Sequence, residues 1–191
     1  MYKRQIQKLE RFGYKMIAPD RGMLANGDDG DGRMPEPEVL FEYILRELAC
    51  EKDLAGKKVL VTAGATMEAI DPVRYITNHS SGKMGCAVAK AAMQRGAKVT
   101  LVAGHMEVLP PMFVDVVNVK SAADMFEAVT KLAPEQDIIV KAAAVADYTP
   151  VAVADNKIKK SDDDMKIELK RTKDILGYLG QHKRDGQVIC G

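Results

Sequence analysis

The sequence predicts an α/β domain built on a doubly wound, mostly parallel sheet with flanking helices, over residues 54–191. A short helical and loop remnant of another domain is predicted to precede it, over residues 1–53. Three observations carry this reading. Short apolar runs (KVLVT, KVTLVA, DVVNV, DIIV) are separated by segments of helical period. Those runs are continuous in hydrophobicity rather than alternating, as strands buried on both faces of a parallel sheet are. Hydrophobic residues make up 47% and charged residues 29% of the 191, the balance of a folded chain with enough length to bury a core. Crossovers between parallel strands are right-handed, so the layout is Rossmann-like.

The elements follow in order. Residues 2–12 read as a helix and 14–18 as a short strand. Residues 20–34 read as a Gly- and Asp-rich loop, too polar for a core, that includes most of the run NGDDGDGRMPEP at 26–37. Pro35 opens a helix, since proline suits a first turn. Val39, Leu40, Tyr43, Ile44 and Leu48 recur at helical spacing, and the helix is expected to end near Glu51. Residues 54–56 are a linker. Residues 58–62 form the first strand of the sheet. Residues 83–95 form an alanine-rich helix closed by Gly96. Residues 98–103 and 115–119 form two more strands. Residues 122–132 form a helix with Ser121 as its N-cap. Residues 137–140 form a fourth strand, 165–169 a further one, 174–181 a helix and 187–190 the start of a last strand. No internal repeat is evident. The chain stops at VICG, where a buried strand should deliver its loop to a ligand, so the domain is expected to be incomplete there. The segment before residue 54 is too small to close a domain of its own.

Charge and composition exclude several classes. Lys and Arg total 28 against 27 for Asp and Glu, so the net charge is +1. That leaves no basic field for nucleic acid or an anionic membrane. No apolar run is long enough to span a bilayer, and the first residues, MYKRQIQKLERFGYK, lack the apolar core of a secretory leader. Cys50, Cys86 and Cys190 lie far apart and odd in number, which fits reduced thiols and a cytoplasmic setting. His79, His105 and His182 sit at no zinc-ligand spacing, and no metal ligand set is named by the sequence.

Three segments could carry chemistry. Between the first strand and its helix runs TAGATMEAIDPVRYITNHSSGKMG. Its loop of roughly 16 residues far exceeds the about 2–6 usual for such connections, and long loops there are usually functional. Ser80, Ser81 and Gly82 place hydroxyls and bare N–H groups at the helix start, a setting for an anion; the alternative is a plain Ser N-cap. No GxGxxG follows the strand, and Gly82-Lys83-Met84 is no P-loop, because Ser or Thr must follow the lysine. Arg74 offers a forked donor to carboxylate or phosphate, or else a surface ion pair. Asn78 can donate and accept at an acyl intermediate, or else make a turn. His79 is a conceivable base but reads better as a bystander. The second segment, KAAAVADY at 141–148, leaves room for a flat ligand beside small residues, with Asp147 as an acceptor beyond them. The third, KIKK at 157–160, is followed by SDDD. Such a run usually makes a solvated face, yet a lysine there could neutralise a triphosphate.

Taken together, DPVRYITNHSSGKMG, AAAVADY and KIKK resemble phosphopantothenate–cysteine ligase (phosphopantothenoylcysteine synthetase), an enzyme of coenzyme A biosynthesis. LANGDDGDGRMPEPE resembles the substrate clamp near the end of the flavin-dependent phosphopantothenoylcysteine decarboxylase, which many bacteria fuse ahead of the ligase. The resemblance implies a two-step ligation. The carboxylate of 4′-phosphopantothenate attacks the α-phosphorus of CTP, and an acyl-cytidylate forms as pyrophosphate leaves. The amine of cysteine then displaces CMP. Mg2+ would bridge phosphates, and the family is dimeric, so a homodimer is expected. By the same resemblance Asn78 handles the acyl intermediate, Lys157 serves activation and Arg74 lies on the substrate side. Ala142, Ala143, Asp147, Asp174, Ile175 and Leu176 contact the cytidine nucleotide.

The sequence departs from the family in places. Lys141 stands where a small or apolar residue is usual, and Lys173-Asp174-Ile175 replaces Pro-Asp-Ile, losing a fixed φ. Asn26 replaces the proton-donating cysteine of the decarboxylase clamp, and an amide cannot deliver that proton. The resemblance also reaches only the tail of the decarboxylase, without its flavin-binding portion, so no decarboxylase activity and no FMN binding are expected of these residues. The family also continues past VICG with further nucleotide-holding residues. Two other readings remain open at this point: a Rossmann-type dinucleotide-binding oxidoreductase, for which only Gly64 of the needed glycines is present, and a non-catalytic fragment that only dimerises.

Overall fold

The structure is a computed structural model that describes residues 2–160 and 164–191. It divides into two compact units, Met1–Ala49 and Cys50–Gly191. The first unit contains helix α1 (Tyr2–Arg11), strands β1 (Asp20–Met23) and β2 (Asp29–Arg33), and helix α2 (Pro37–Leu48). The strand expected over 14–18 does not form, and the Gly/Asp run expected to be loop is a hairpin. Its strands pair antiparallel with Gly22 opposite Gly30. Being exposed, the hairpin needs no apolar residues, which is why its composition hid it. Asn26 closes its turn: the Asn26 amide donates to Asp28 at 2.7 Å, and Asn26 Oδ1 accepts from Asp28 N–H at 3.3 Å, an Asx-type turn. Helix α2 starts at Pro37 rather than Pro35, and none of its residues is fully buried.

The second unit continues with β3 (Lys58–Ala63), β4 (Met67–Ala69), β5 (Tyr75–Thr77), α3 (Lys83–Gln94), β6 (Lys98–Ala103), β7 (Asp115–Asn118) and α4 (Ala122–Leu132). Then come β8 (Ile138–Lys141), β9 (Tyr148–Pro150), β10 (Leu169–Arg171), α5 (Ile175–Gln181) and β11 (Val188–Cys190). Five strands form one parallel sheet in the order β11-β8-β3-β6-β7. The pleat sorts β3 by parity. Val59, Val61 and Ala63 pack with Cys86, Ala89, Ala92 and Met93 of α3. Leu60 lies on the opposite face among Met125 and Val129 of α4 and Ile175 and Leu179 of α5. Helices therefore cover both faces, as the continuous apolar runs predict.

Alanines on α3 allow close packing on the sheet, and Gly85 is where the two meet. A Cβ there would stand 2.5 Å from the Cβ of Ala63 and 2.7 Å from the carbonyl oxygen of Thr62. Ser121 caps α4 as expected: its Oγ accepts from Asp124 N–H at 3.1 Å, and the Asp124 carboxylate accepts from Ser121 N–H at 2.9 Å, a reciprocal capping box.

Two expectations are corrected here. The long connection after β3 is not plain loop, because β4 and β5 pair within it as an antiparallel hairpin, Glu68 opposite Ile76. The late strand lies at Leu169–Arg171, not 165–169. It pairs antiparallel with β9, Arg171 opposite Tyr148, and that partner sets its position. The SDDD run expected on a solvated face falls largely on residues 161–163, which lie outside the described residues.

The chain enters the sheet at its centre on β3, moves outward through β6 and β7, then returns to the other side of β3 at β8. The order thus reverses between β3 and β8, the place where open α/β sheets bind ligands beyond the strand ends.

Candidate active site at the β3–β8 switch point

Two segments leave the switch point. From β3 comes the flap, residues 64–82, built around the β4–β5 hairpin. From β8 comes the alanine segment, residues 142–147. They are laced together. Ala144 N–H donates to the Gly64 carbonyl at 2.9 Å, and Thr66 N–H to the Ala144 carbonyl at 3.3 Å. The buried hydroxyl of Thr62 accepts from Ala143 N–H at 3.1 Å, and that of Thr66 from Ala146 N–H at 2.9 Å. Asn78, just past β5, donates its amide to the Ala144 carbonyl at 3.2 Å. Thr172 then ties the far end, its hydroxyl donating to the Ala146 carbonyl at 2.7 Å. Backbone that would otherwise be free coil is thus fixed by side chains from three directions.

Beyond the alanine segment opens a cleft of about 340 Å³. Asp147, Asp174 and Ile175 line it, together with the cations Lys141, Arg171 and Lys173. Of the residues expected to contact a nucleotide, Ala142 and Ala143 are half-buried next to the cleft, and Leu176 is partly exposed on α5. Asp174 is the N-cap of α5, its carboxylate accepting from Gly177 N–H at 2.9 Å. Lys173, replacing the family's proline, holds its ammonium over the Phe126 ring at 4.8 Å from the centroid. That cation–π contact restrains the turn by side-chain packing.

Helix α3 is capped by Gly82 at φ 77°, with no side-chain cap bond. The alternative of a plain Ser cap is therefore set aside. Met106 fills the space beside it, since a Cβ at Gly82 would meet Met106 Cγ at 2.6 Å. Ser81 accepts from Glu107 N–H through its carbonyl at 3.1 Å, and Ser80 N–H donates to the Asn78 carbonyl at 2.9 Å. His79 is exposed between them.

Arg74 lies at the turn of the flap, and Lys157 lies on the segment between β9 and β10. The Arg74 guanidinium donates Nε to the Asp71 carboxylate at 2.9 Å and Nη2 to the Ile158 carbonyl at 2.7 Å. Lys157 is exposed, and it lines neither the 340 Å³ cleft nor the larger groove beside the hairpin. The flap therefore touches the alanine segment through Asn78 at one end and the backbone of the basic run through Asp71 and Arg74 at its turn.

Asp71 is the principal residue that the sequence reading missed. Burial opposes its ionisation. Hydrogen bonds from Val73 N–H, the Arg74 guanidinium, Ile158 N–H and Arg74 N–H outweigh that and hold its carboxyl well below the usual carboxylate range. Asp-Pro opening a turn is a sequence signal for such an acceptor. Glu68 is likewise buried, its carboxylate accepting from Ala122 N–H at 2.8 Å at the start of α4, where a negative charge also suits the helix dipole.

Residues 54–191 match the family described as the DNA/pantothenate metabolism flavoprotein C-terminal domain. The chain belongs to that family. It is 48% identical over 192 residues to the coenzyme A biosynthesis bifunctional protein CoaBC of Bacillus subtilis, covering 99% of this chain and 47% of that protein. It is 43% identical over 193 residues to a cysteine/cysteine sulfinic acid decarboxylase from an unknown prokaryotic organism, covering 98% of this chain and 54% of that one. Among solved structures it matches the C-terminal domain of a coenzyme A biosynthesis bifunctional protein CoaBC at 48% identity and a TM-score of 0.62, covering 71% of this chain and 63% of that one. The chain spans about half the length of the curated relatives it matches. Within this flavoprotein C-terminal family, the laced switch point is the candidate active site.

Proposed function

We propose that this chain carries part of a ligase that joins 4′-phosphopantothenate to cysteine through an acyl-cytidylate formed with CTP. The contact from Asn78 to the Ala144 carbonyl is the observation that carries this reading. It sets an amide donor at the strand ends, beside a cleft whose three cations suit a nucleotide's phosphates. In this reading Asp147, Asp174 and Ile175 face the nucleotide, Asn78 serves the acyl group, and Lys157 supplies charge during activation. Magnesium would arrive with the triphosphate. The carboxylates lining the cleft are Asp147 and Asp174, and Asp174 already holds Gly177 N–H. That set fits an ion carried by phosphates and not a resident one. Among the described residues no cluster of three or more His, Cys, Asp or Glu could hold a metal.

A dinucleotide oxidoreductase is not favoured. Gly64 lies against the His105 carbonyl, 2.4 Å from where a Cβ would be, and Met106 fills the space beside the α3 N-terminus. A pyrophosphate would have to displace both. Thermal unfolding separates the two readings. CTP at about 100 times its Kd should stabilise the protein by about 2.7 kcal/mol, a rise of roughly 5–10 °C for a chain of this size. NADP should give none. Stabilisation by NADP alone would overturn the assignment.

We also read the protein as a homodimer. Val73, Tyr75, Val151 and Val153 line one groove of about 980 Å³ beside the flap hairpin and are 59%, 51%, 45% and 54% exposed. An exposed apolar surface of this kind suits a subunit interface. Sedimentation should give twice the monomer mass at micromolar concentration, and a single monomeric species would refute it. Among the described residues no helix is long and apolar enough to cross a membrane, and a cytoplasmic setting is proposed with reduced thiols at Cys50, Cys86 and Cys190.

A further inference from the structure

We propose that Asp71 is a positioning residue for Lys157, acting through a clamp on the peptide that joins Lys157 to Ile158. This rests on the activation role given to Lys157 above.

The segment that carries Lys157 forms no strand or helix between β9 and β10 among the described residues. It is strapped to the flap at two points. Ala154 N–H donates to the Ile70 carbonyl at 3.0 Å. At the second point both polar groups of Ile158 are held: its N–H donates to Asp71 Oδ2 at 3.1 Å, and its carbonyl accepts from Arg74 Nη2 at 2.7 Å. The peptide unit is planar. Holding Ile158 at both its N–H and its carbonyl therefore restrains the peptide plane that contains the Cα of Lys157. The lysine stem stays mobile while its root is held, so the clamp confines where the ammonium can reach.

The carboxylate that does this is fully buried in its side chain, 0% exposed. Its two oxygens divide the work. Oδ1 accepts from Val73 N–H and Arg74 N–H, both at 2.8 Å, and shapes the flap turn. Oδ2 accepts from Arg74 Nε at 2.9 Å and from Ile158 N–H, and holds the distant segment. A residue needed only for the turn would require the first oxygen alone. Asn78 sits at the far end of the same hairpin, so one small body sets the root of Lys157 and the position of Asn78.

The division suggests a selective substitution. Asp71→Asn can keep Oδ1 for the turn while turning the second position from an acceptor into a donor, which faces Ile158 N–H and Arg74 and cannot hold either. In the full-length protein, amide hydrogen exchange at Ile158 should accelerate at least tenfold in Asp71→Asn, with residues 67–77 still protected. Turnover should fall about tenfold or more, in kcat with little change in the KM for the nucleotide. In a Lys157→Ala background the same substitution should cost nothing further. Arg74→Lys, which loses the contact to the Ile158 carbonyl while Asp71 keeps the N–H, is the second variant should Asp71→Asn fail to fold; it should lower kcat in the same way and cost nothing further in the Lys157→Ala background. Unchanged exchange at Ile158 would overturn the clamp. An undiminished loss in the Lys157→Ala background would make Asp71 merely structural. Full turnover by Lys157→Ala alone would remove the activation reading and the proposal with it, whatever the exchange shows.

Discussion

Lys157→Ala is expected to reduce CTP-dependent turnover by about 10²–10³-fold, the range seen when a preorganised group serving transition-state charge is removed. The expectation rests on what Lys157 does not do in the fold. It is exposed, and no ion pair joins it to a described residue. A surface cation of that kind contributes within about 0.5 kcal/mol to stability. Folding and catalysis should therefore separate: the urea midpoint should stay in place while phosphopantothenate-dependent pyrophosphate release collapses. Lys160→Ala provides the control. It lies beyond both peptide units held at Ile158, with similar charge and exposure, and it should change turnover by no more than about twofold if only the rooted lysine serves the reaction. Equal losses at Lys157 and Lys160 would mean that the run acts as a diffuse field, and the assignment of activation to Lys157 would fall.

The contrast between Lys157 and its anchor shows what the sequence makes legible. Strands β3 and β6 and helices α3 and α4 stand where their periodicity places them, because each buries a continuous apolar face and that face is written in consecutive residues. Val59, Val61 and Ala63 against α3, with Leu60 on the other side, is such a pattern. Elements whose stability comes from pairing alone are not written that way. The β1–β2 hairpin is glycine and aspartate in water. The three-residue strands β4 and β5 are too short to show a period, and β10 takes its register from Tyr148–Pro150 across the pair. The site divides along the same line. Asn78, Asp147 and Asp174 are recognisable by type and motif. Thr62, Thr66, Glu68 and Asp71 look like surface residues, yet each is buried on a backbone N–H, with its partner 54 to 87 residues away in three of the bonds that matter most. A buried polar group is justified by a partner that only the folded chain supplies, so a local window offers at most the Asp-Pro turn at Asp71 and none of the distant partners.

The second large effect is expected at Asn78, where the loss should fall on one half-reaction. In the proposed sequence the acyl-cytidylate forms first, and the amine of cysteine then builds a tetrahedral centre whose oxygen carries negative charge. An amide can donate to that oxygen while its other N–H holds the Ala144 carbonyl, as the 3.2 Å contact does. Asn78→Asp is nearly isosteric but reverses the polarity. A carboxylate would face the Ala144 carbonyl acceptor to acceptor and would repel the developing oxyanion. Removing one such donor lowers rates by about 10²–10³-fold, and here the added negative charge acts in the same direction. Quenched reactions of Asn78→Asp should therefore show a stoichiometric burst of pyrophosphate, an acyl-cytidylate detectable by mass, and CMP release slowed by that factor. Asn78→Ala, neutral and small, should slow the second step less and accumulate less intermediate. If Asn78→Asp instead abolished the pyrophosphate burst, the amide would serve nucleotide or substrate binding. If product formation were unchanged, its contact with Ala144 would be a fastening of the flap and no part of the chemistry.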